Sequence, residues 1–202
     1  MLKTTFFQRP APVLAPDLIG KKLVRVIDGK RLAGIITETE AYQGQEDLAC
    51  HAHFGKTKRN EVMFGEGGRA YIYFTYGMHW MLNVVADLAE KPAAVLIRAV
   101  FPVEGLQTMA LHRPNLAFSK KWLNGPGKLT QAFALDGTMN AHDLRDPESG
   151  LFIENGIEIP ASLVSTSPRI GLGKTPEPWL SLPWRWELGW QQAKELIEKE
   201  TG

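Results

Sequence analysis

The stretch Arg31-Leu-Ala-Gly-Ile-Ile-Thr-Glu-Thr-Glu-Ala-Tyr42 decides the fold, because its side chains alternate in the way that a β-strand requires. The strand predicted over residues 22–27 precedes it, and Asp28-Gly29 is typical of the tight turn between antiparallel partners. The chain therefore begins its sheet with a hairpin. One face of the second strand carries Gly34, Ile36, Glu38, Glu40 and Tyr42.

A second hairpin is predicted around the turn Thr75-Tyr76-Gly77-Met78. Residues 71–74 and 79–85 flank this turn and are rich in the aromatic and β-branched side chains that strands favour. Residues 95–100 form another apolar strand, and we expect Pro102 to end it. Strands that follow one another this closely predict a mostly antiparallel sheet.

Helices, short strands and loops account for the remainder of the chain. We expect helices over residues 12–20, 46–51, 104–112, 128–135 and 190–200, short strands over 151–159 and 164–171, and a surface excursion over 55–69. The length of 202 residues fits one domain, so residues 1–202 are taken as a single unit. The predicted fold class is α+β: a mixed, mostly antiparallel curved sheet with surrounding helices and a protruding β-hairpin.

The composition is that of an ordinary globular protein. Hydrophobic residues make up 44% and charged residues 22% of the chain, and no apolar run approaches the roughly 20 residues that cross a bilayer. Cys50 is the only cysteine, which excludes an intramolecular disulfide and a multi-cysteine zinc site. The N-terminal residues do not resemble a secretory signal. We expect a cytoplasmic monomer with no membrane partner.

The charge balance permits nucleic-acid binding without arguing for it. The formal net charge is only +1, whereas proteins that grip nucleic acid usually carry a basic surface. Basic residues do cluster locally, at Lys56-Thr57-Lys58-Arg59, at Lys120-Lys121 with Lys128, and at Arg169 with Lys174. Such clusters either contact phosphates or are simply solvated surface.

Glu38 and Glu40 lie two residues apart, so their carboxylates are roughly 7 Å from each other on one side of the strand. This separation suits a water-activating base with a supporting acid, and it equally suits two solvated charges on a polar face. Ile36 and Tyr42 make that face only partly polar. The strand also runs into the loop that carries His51, and functional residues concentrate at such element ends.

Tyr76 is placed at a turn, where a bulky aromatic side chain is not easily buried. An exposed aromatic of this kind suits a contact with another molecule. It can enter a base stack and fill the gap left by an extruded nucleotide. The alternative is that its ring folds back onto its own sheet.

Two polar residues interrupt apolar strands. Asn83 needs hydrogen-bond partners if it is buried, so it is either structural or part of a polar pocket floor. Arg98 is expected to pair with a carboxylate, and Glu38 or Glu40 is the candidate partner. A purely structural ion pair remains an alternative.

Other common chemistries have no signature in the sequence. The five histidines do not form a zincin pattern, and His51-Ala52-His53 alone is weak evidence for a metal. Gly65-Glu66-Gly67-Gly68 lacks the Lys-Ser/Thr of a phosphate-binding loop, and no Gly-x-Ser-x-Gly elbow occurs. We therefore expect neither a metal nor a cofactor.

Several segments together resemble the alkyladenine (3-methyladenine) DNA glycosylase family. The similarity covers residues 14–186 and rests on motifs in matching order. These are Glu38-Thr-Glu-Ala-Tyr-Gln-Gly-Gln-Glu-Asp47 continuing to His51, Arg59-Asn60 before Met63-Phe64, Tyr71-x-Tyr73-x-x-Tyr76-Gly77-Met78 continuing to Asn83, Val95-Leu-Ile-Arg98-Ala, Glu104-Gly105, Gly125-Pro-Gly-Lys128-Leu and Arg169-Ile-Gly-Leu-Gly173.

The resemblance implies a role for each candidate residue. Glu40 is expected to be the general base that deprotonates water for attack on C1′, with Arg98 beside that water. Tyr76 is expected to be the intercalating wedge. The implied walls of the pocket for the flipped base are Tyr42, His51 and Tyr73, with Asn83 disfavouring the exocyclic amine of guanine; the implied contacts with the DNA backbone are Arg59, Lys128 and Arg169.

The implied substrate is double-stranded DNA that contains an alkylated or deaminated purine. Positive charge on an alkylated base weakens its glycosidic bond, and electron-rich rings favour that cation over the neutral base. The carboxylate then stabilises an oxocarbenium-like sugar and primes the water. Because no lysine occupies the matching motif, we expect a monofunctional hydrolase without a Schiff-base intermediate.

The chain departs from the family pattern in two places. Lys58 stands where the family has a proline before Arg-Asn, and Glu61 stands where a basic residue is frequent. His79-Trp80 is bulkier than expected on the return strand of the hairpin. The first departure puts phosphate contacts of the 55–69 excursion in question.

Two other functions compete with the glycosylase. One is a nucleic-acid-binding protein that flips bases without catalysis, with Glu40 as a structural partner of Arg98. The other is a glycoside or nucleoside hydrolase that uses Glu38 and Glu40 on a free small molecule. Tyr76 argues against the latter, because a free nucleoside needs no wedge.

Overall fold

The structure, a computed structural model, describes residues 2–114, 119 and 122–201. Its elements follow the predicted order closely. The strands are β1 (Lys22–Ile27), β2 (Lys30–Gln43), β3 (Ala70–Thr75), β4 (His79–Ala86), β5 (Ala93–Glu104), β6 (Leu151–Glu154), β7 (Val164–Ser167) and β8 (Arg185–Leu188). The helices are α1 (Thr4–Phe7), α2 (Ala11–Leu18), α3 (Leu106–His112), α4 (Pro126–Ala132) and α5 (Trp190–Thr201).

All eight strands belong to one sheet. Its main path has the order β3-β4-β5-β2-β1-β6, and β8 joins β2 to β7. Every strand pairing that the structure describes is antiparallel, so the parallel pairs that a mixed sheet would contain do not occur among these residues. The α+β class, the single domain's sheet and the β3–β4 hairpin at the sheet edge agree with the sequence prediction.

Strand β2 is the central strand of the sheet and pairs with three others. It pairs with β5 along one edge, while the other edge pairs first with β1 and then, at Glu38 to Glu40, with β8. Residues 32–41 are buried on both faces. Helix α2 packs on this strand, and the hydroxyl of Thr39 donates a 3.0 Å hydrogen bond to the carbonyl of Ala15. Both candidate carboxylates thus lie in a continuous buried stretch of β2.

Strand β5 continues through Pro102 to Glu104, so the prediction that Pro102 ends the strand is wrong. Proline removes a ladder donor and is tolerated in sheets at irregularities. Here a register shift lies beside the Gly34–Pro102 pair. Gly34 lets the two backbones approach, since a Cβ at that position would lie 2.9 Å from Val100.

Residues 46–51 form turns, so the helix predicted there is wrong as well. The carboxylate of Asp47 accepts hydrogen bonds from the amides of Ala49 and Gln43, at 3.0 and 3.2 Å. It also binds Arg169, which draws it inward. A side chain that is bonded to distant backbone and to a buried arginine favours a compact turn over a helix N-terminus.

The remaining differences concern short elements. Helix α1 and strand β8 lack a distinct sequence pattern and were not predicted. The expected strands over 151–159 and 164–171 are confined to β6 and β7. Strand β6 ends where its ladder with β1 ends, at the Lys22–Glu154 pair, and the chain then passes so close to Gly20 that only Gly156 fits.

Candidate active site

A cavity of about 410 Å³ opens between the β3–β4 hairpin, strand β5 and two loops. We name these the 44–55 loop, which follows β2, and the 168–184 loop, which joins β7 to β8. The cavity contains six of the predicted site residues in its lining. They are Tyr42, His51, Tyr73, Tyr76, Asn83 and Arg98.

Glu40 lies behind this lining and is fully buried, with 0% of its surface exposed. Its Oε1 accepts a 2.7 Å hydrogen bond from the backbone amide of Ile170 and lies 3.2 Å from Nη1 of Arg98. Its Oε2 accepts a 2.8 Å hydrogen bond from the hydroxyl of Tyr42. Three elements, β2, β5 and the 168–184 loop, therefore fix one carboxylate.

The electrostatic environment of Glu40 favours a carboxyl group that binds a proton more readily than usual. Burial raises its pKa above the ordinary value, and the neighbouring Glu38 adds to that rise. Arg98 and the hydrogen bonds from Ile170 and Tyr42 oppose the rise and only partly cancel it. A buried carboxylate with a raised pKa is a better proton acceptor than an exposed one.

Arg98 joins the two predicted carboxylates. Its Nε donates a 2.7 Å hydrogen bond to Oε1 of Glu38, while its Nη1 faces Glu40. Desolvation alone would lower the pKa of Arg98, but Glu40 and Glu38 outweigh it and raise the pKa. The expected partnership of Arg98 with a carboxylate is therefore present, and it involves both glutamates rather than one.

The ring of Tyr42 forms one wall of the cavity, and its hydroxyl holds Glu40. Burial and the negative charge of Glu40 raise the pKa of this phenol well above its usual range, so it stays a neutral donor. Behind the ring, the guanidinium of Arg169 stacks at 4.8 Å from the ring centroid. The wall is thus supported by a cation on the side away from the cavity.

Arg169 itself is buried. Its Nη1 and Nη2 donate to the two carboxylate oxygens of Asp47 at 2.6 and 3.0 Å, and both side chains are fully enclosed. Further bonds run to the carbonyls of Ala41 and Trp179. The predicted contact of Arg169 with the DNA backbone does not fit this position, because the guanidinium is turned into the protein and has no exposed face for a phosphate.

His51 and two tyrosines form the opposite wall. The ring of His51 packs edge-on against Tyr73, with centroids 4.5 Å apart, and its Nδ1 lies 2.9 Å from the hydroxyl of Tyr71. Although His51 faces the open cavity, desolvation by the wall, assisted by the charge of Arg59, lowers its pKa to about 4. The imidazole is therefore neutral at neutral pH, and a cationic ring can approach it without repulsion.

Asn83 lies in the floor of the cavity and is only 3% exposed. Its Nδ2 donates a 3.1 Å hydrogen bond to the carbonyl of Tyr71 on the neighbouring strand. This bond fixes the amide plane and leaves the side-chain oxygen as the group that a bound ring would meet. Both roles expected for Asn83, structural and pocket-lining, are thus compatible with one position.

Tyr76 projects from the tip of the β3–β4 hairpin with 77% of its surface exposed. The turn holds Tyr76 and Gly77 at φ of 53° and 67°, the left-handed region. The ring does not fold back onto its sheet, which was the alternative at the sequence level. Met78 and Phe74 are also exposed, so the tip is an apolar projection rather than a single side chain.

Two basic residues lie near the opening. Arg59 is exposed, and its guanidinium lies 5.2 Å above the ring of Tyr73. Lys128, near the start of α4, donates a 2.8 Å hydrogen bond to Asn124. Lys120 and Lys121 of the predicted basic cluster lie outside the described residues. The contacts of Arg59 and Lys128 with DNA remain predictions.

The bulky pair His79-Trp80 has a structural explanation. His79 packs on Gly127 of α4 and Trp80 on Gly137, where an added Cβ would lie within 2.9 and 2.8 Å of the two side chains. The hydroxyl of Thr130 also donates to the carbonyl of Trp80. His79 thus packs the hairpin against α4, and Trp80 packs it against the turn at Gly137 that follows this helix.

Sequence reasoning missed three contributors to the site. Arg185 carries no distinct pattern, and the motif that contains Ile170 gives no sign of its backbone amide; only the tertiary fold brings these groups to Glu38 and Glu40. Asp47 belongs to a motif that was recognised, but the buried ion pair that it forms with Arg169 was not predicted. Because a buried arginine is usually paired with a carboxylate, a search for such a partner of Arg169 is what could have predicted this pair.

The described residues contain no group of three or more His, Cys, Asp or Glu side chains arranged to hold a metal ion. Among the same residues, no helix is long and apolar enough to cross a membrane.

A buried carboxylate at the back of an aromatic cleft is the arrangement that suits a hydrolase acting on a bond beside a flat ring. The model of the methylpurine-DNA glycosylase (MPG) family matches residues 5–191, and the chain belongs to that family. It is accordingly a DNA glycosylase, a hydrolase of DNA repair.

Individual relatives agree with this assignment. The chain is 46% identical to a protein of Chlorobium phaeobacteroides over 181 residues, which are 89% of each chain. It is 44% identical to a protein of Chlamydia abortus over 191 residues, 93% of this chain and 98% of the relative. A protein of Carboxydothermus hydrogenoformans is 43% identical over 93% of this chain and 95% of its own. Each is named "Putative 3-methyladenine DNA glycosylase".

Proposed function

We propose that this protein is a monofunctional glycosylase that flips an alkylated or deaminated purine out of duplex DNA and hydrolyses its N-glycosidic bond. The product is an abasic site, and 3-methyladenine is the damaged base for which the relatives are named. One observation carries the proposal: the Glu40 carboxylate is fixed directly behind an aromatic cavity by Arg98, Tyr42 and the Ile170 amide.

Glu40 is the proposed general base. A carboxylate has about four lone-pair positions; Ile170 and Tyr42 occupy two and Nη1 of Arg98 faces a third, which leaves about one for a water. Arg98 reaches the cavity and can orient that water by donating to it. As the glycosidic bond breaks, its electron pair leaves with the base, the water oxygen bonds to C1′, and the water proton passes to Glu40.

The aromatic walls are proposed to select the leaving group. Tyr42 on one side and His51 with Tyr73 on the other present π faces and edges to a flipped ring. An alkylated purine that carries positive charge gains from such faces, and the neutral His51 imposes no repulsion on it. Asn83 lies at the floor of the cavity, where its bulk can exclude a guanine amine by steric contact.

The hairpin tip is proposed to hold the DNA open. Tyr76 is rigidly displayed by its turn, and an aromatic wedge of this kind fills the space that an extruded nucleotide leaves. Arg59, which is exposed beside Tyr73, is proposed to contact a phosphate near the flipped nucleotide. These contacts support a duplex substrate over a free nucleoside.

The chemistry is proposed to stop at the abasic site. None of the residues that line the described cavity is a lysine, so no amine is placed to attack C1′. A covalent adduct between the protein and lesion DNA, trapped with borohydride, would contradict this part of the proposal.

The test is single-turnover excision from an end-labelled duplex that carries one hypoxanthine or ethenoadenine. We expect strand scission by the wild-type protein only after alkali, and a rate loss of roughly 10²–10⁴-fold in Glu40→Gln with lesion binding preserved. Glu158→Gln, which alters an exposed carboxylate, is the matched control and should keep the wild-type rate.

Two outcomes would count against the proposal. Excision by Glu40→Gln at the wild-type rate would remove Glu40 as the base. Tight lesion binding by the wild-type protein without any scission would favour the alternative, a base-flipping protein in which the fully enclosed Glu40 is only a structural partner of Arg98.

A further inference from the structure

Glu38 has a second partner that the proposed chemistry does not use. Its Oε1 accepts a 2.7 Å hydrogen bond from Nε of Arg98 and a 2.6 Å bond from Nε of Arg185. The Glu38 side chain is only 9% exposed, and those of Arg98 and Arg185 are 12% and 16% exposed. One carboxylate oxygen therefore ties together two arginines that come from different strands.

The backbone around Glu38 is irregular on both sides. The β2–β5 ladder shifts register between Ile36 and Glu38, which leaves Thr37 unpaired, and shifts back between Glu38 and Thr39, which leaves Arg98 unpaired. Bulges re-aim side chains and are frequent near active sites. The two opposed shifts cancel along the ladder, so their local effect is to turn Arg98 towards the two glutamates.

Strand β8 supplies the anchor for this arrangement. Arg185 pairs opposite Glu40 in the β2–β8 ladder, yet its side chain reaches Glu38. Its Nη1 donates to the hydroxyl of Ser167 at 2.9 Å, and its Nη2 donates to Glu187 at 2.7 Å. With all of its nitrogens engaged, Arg185 is held in one orientation and holds Glu38 in turn.

We propose that Glu38 and Arg185 are positioning residues for the excision reaction: they hold Arg98 in register against Glu40 and set the charge that Glu40 experiences. The inference rests on the proposed role of Glu40 as the base. It assigns a function to Glu38, the first glutamate of the Glu-Thr-Glu motif, and to Arg185 of strand β8.

The signs of the expected effects follow from the charges around Glu40. The groups that face it are Arg98 from β5, Tyr42 and Glu38 from β2, and the Ile170 amide. Removing the charge of Glu38 takes away a like charge and frees the full charge of Arg98, so the pKa of Glu40 falls. Removing Arg185 leaves Glu38 compensated by Arg98 alone, so the pKa of Glu40 rises.

The experiment measures the single-turnover excision rate against pH for Glu38→Gln and for Arg185→Gln. On the acid side of the pH–rate profile, which we call the acid limb, the rate falls as Glu40 becomes protonated. We expect this limb to move to lower pH in Glu38→Gln and to higher pH in Arg185→Gln. Each shift should be about half a pH unit or more, which is the size expected for charges ~7 Å apart even at the dielectric constant of water. The plateau rate should also fall, by roughly ten- to a hundredfold, because Arg98 is less well placed.

Controls separate this role from a structural one. Glu104→Gln removes the partner of Arg31 at the far end of the same two strands, and its acid limb should coincide with that of the wild type. Arg185→Lys keeps the positive charge but loses the planar guanidinium group. Its acid limb should therefore lie at the wild-type pH, while its plateau rate should stay below that of the wild type. Thermal unfolding of each variant shows whether a rate loss merely follows a loss of fold.

The outcome distinguishes this inference from the proposed function. If Glu40→Gln is inactive while both acid limbs stay at the wild-type pH, or move in the same direction, Glu38 and Arg185 only stabilise the sheet. If Glu40→Gln remains active, the base itself is wrongly assigned, and the acid limb has another origin.

Discussion

At the scale of single residues, the burial of Glu40 makes its carboxylate a better proton acceptor but lowers the stability of the folded protein. Its two carboxylate oxygens are hydrogen-bonded, yet burial still raises its pKa. The folded state therefore holds the proton more tightly than the unfolded chain does. In the window between the two pKa values the native state binds more protons, so stability falls as pH rises through that window and stays lower above it.

This sign leads to a prediction for stability. Glu40→Gln keeps an acceptor for the Ile170 amide and removes the buried charge, so the variant should unfold at a higher temperature than the wild type at neutral pH. The gain should shrink as the pH approaches the ordinary value of 4.5, where the wild-type carboxyl is also neutral. Thermal unfolding measures it, since ~1 kcal/mol shifts the Tm by roughly 2–4 °C in a chain of this size. A lower Tm would mean that the ion pair with Arg98 outweighs the burial cost.

The residue scale is also where the sequence was most informative. A strand that ends in Glu-Thr-Glu-Ala-Tyr, and polar residues inside apolar strands, singled out the groups that the structure gathers around one cavity. Arg169 shows the limit of this reasoning. Its motif was recognised, but a basic residue near a loop gives no sign of whether it points outward to a phosphate or inward to Asp47.

At the scale of elements, the β3–β4 hairpin combines a fixed base with an apolar tip. His79 packs the return strand against α4 and Trp80 packs it against the turn at Gly137, while Phe74, Tyr76 and Met78 remain exposed. The hairpin pattern was visible in the sequence because turn residues separate two aromatic strands. Strand β8 was not, because a long proline-rich loop separates its four residues from their partner β7, and its other partner, β2, is distant in the sequence.

The hairpin predicts a difference between duplex and single-stranded substrates. In Tyr76→Ala, excision from duplex DNA should fall by about tenfold or more, because the gap left by the flipped nucleotide is no longer filled and base stacking is worth ~1–3 kcal/mol. Excision of the same lesion from single-stranded DNA should change little. Leu111→Ala, which truncates an apolar side chain of α3 that is 74% exposed, is the control. Equal losses on both substrates would show that Tyr76 supports the pocket instead of separating the bases.

At the scale of the whole molecule, a buried ion pair closes the site. Asp47 in the 44–55 loop and Arg169 in the 168–184 loop meet behind Tyr42, and Arg169 also stacks 5.1 Å from the ring of Trp184. The amide that binds Glu40 belongs to the residue next to Arg169. Such long-range closure depends on two loops without regular structure, which is why no local pattern could predict it.

Breaking this pair should therefore affect stability and catalysis together. Arg169→Met leaves Asp47 buried without its partner, and we expect a loss of about 3–5 kcal/mol in the free energy of unfolding. Asp47→Asn combined with Arg169→Met should recover part of that loss, because no uncompensated charge remains. Urea unfolding measures both variants.

In the same series, Arg59→Ala should leave unfolding unchanged and reduce the salt dependence of DNA binding, as expected for an exposed phosphate contact. If Arg169→Met instead kept the wild-type stability and lowered the salt dependence, Arg169 would contact DNA after all, and the 168–184 loop would have to open for it to do so.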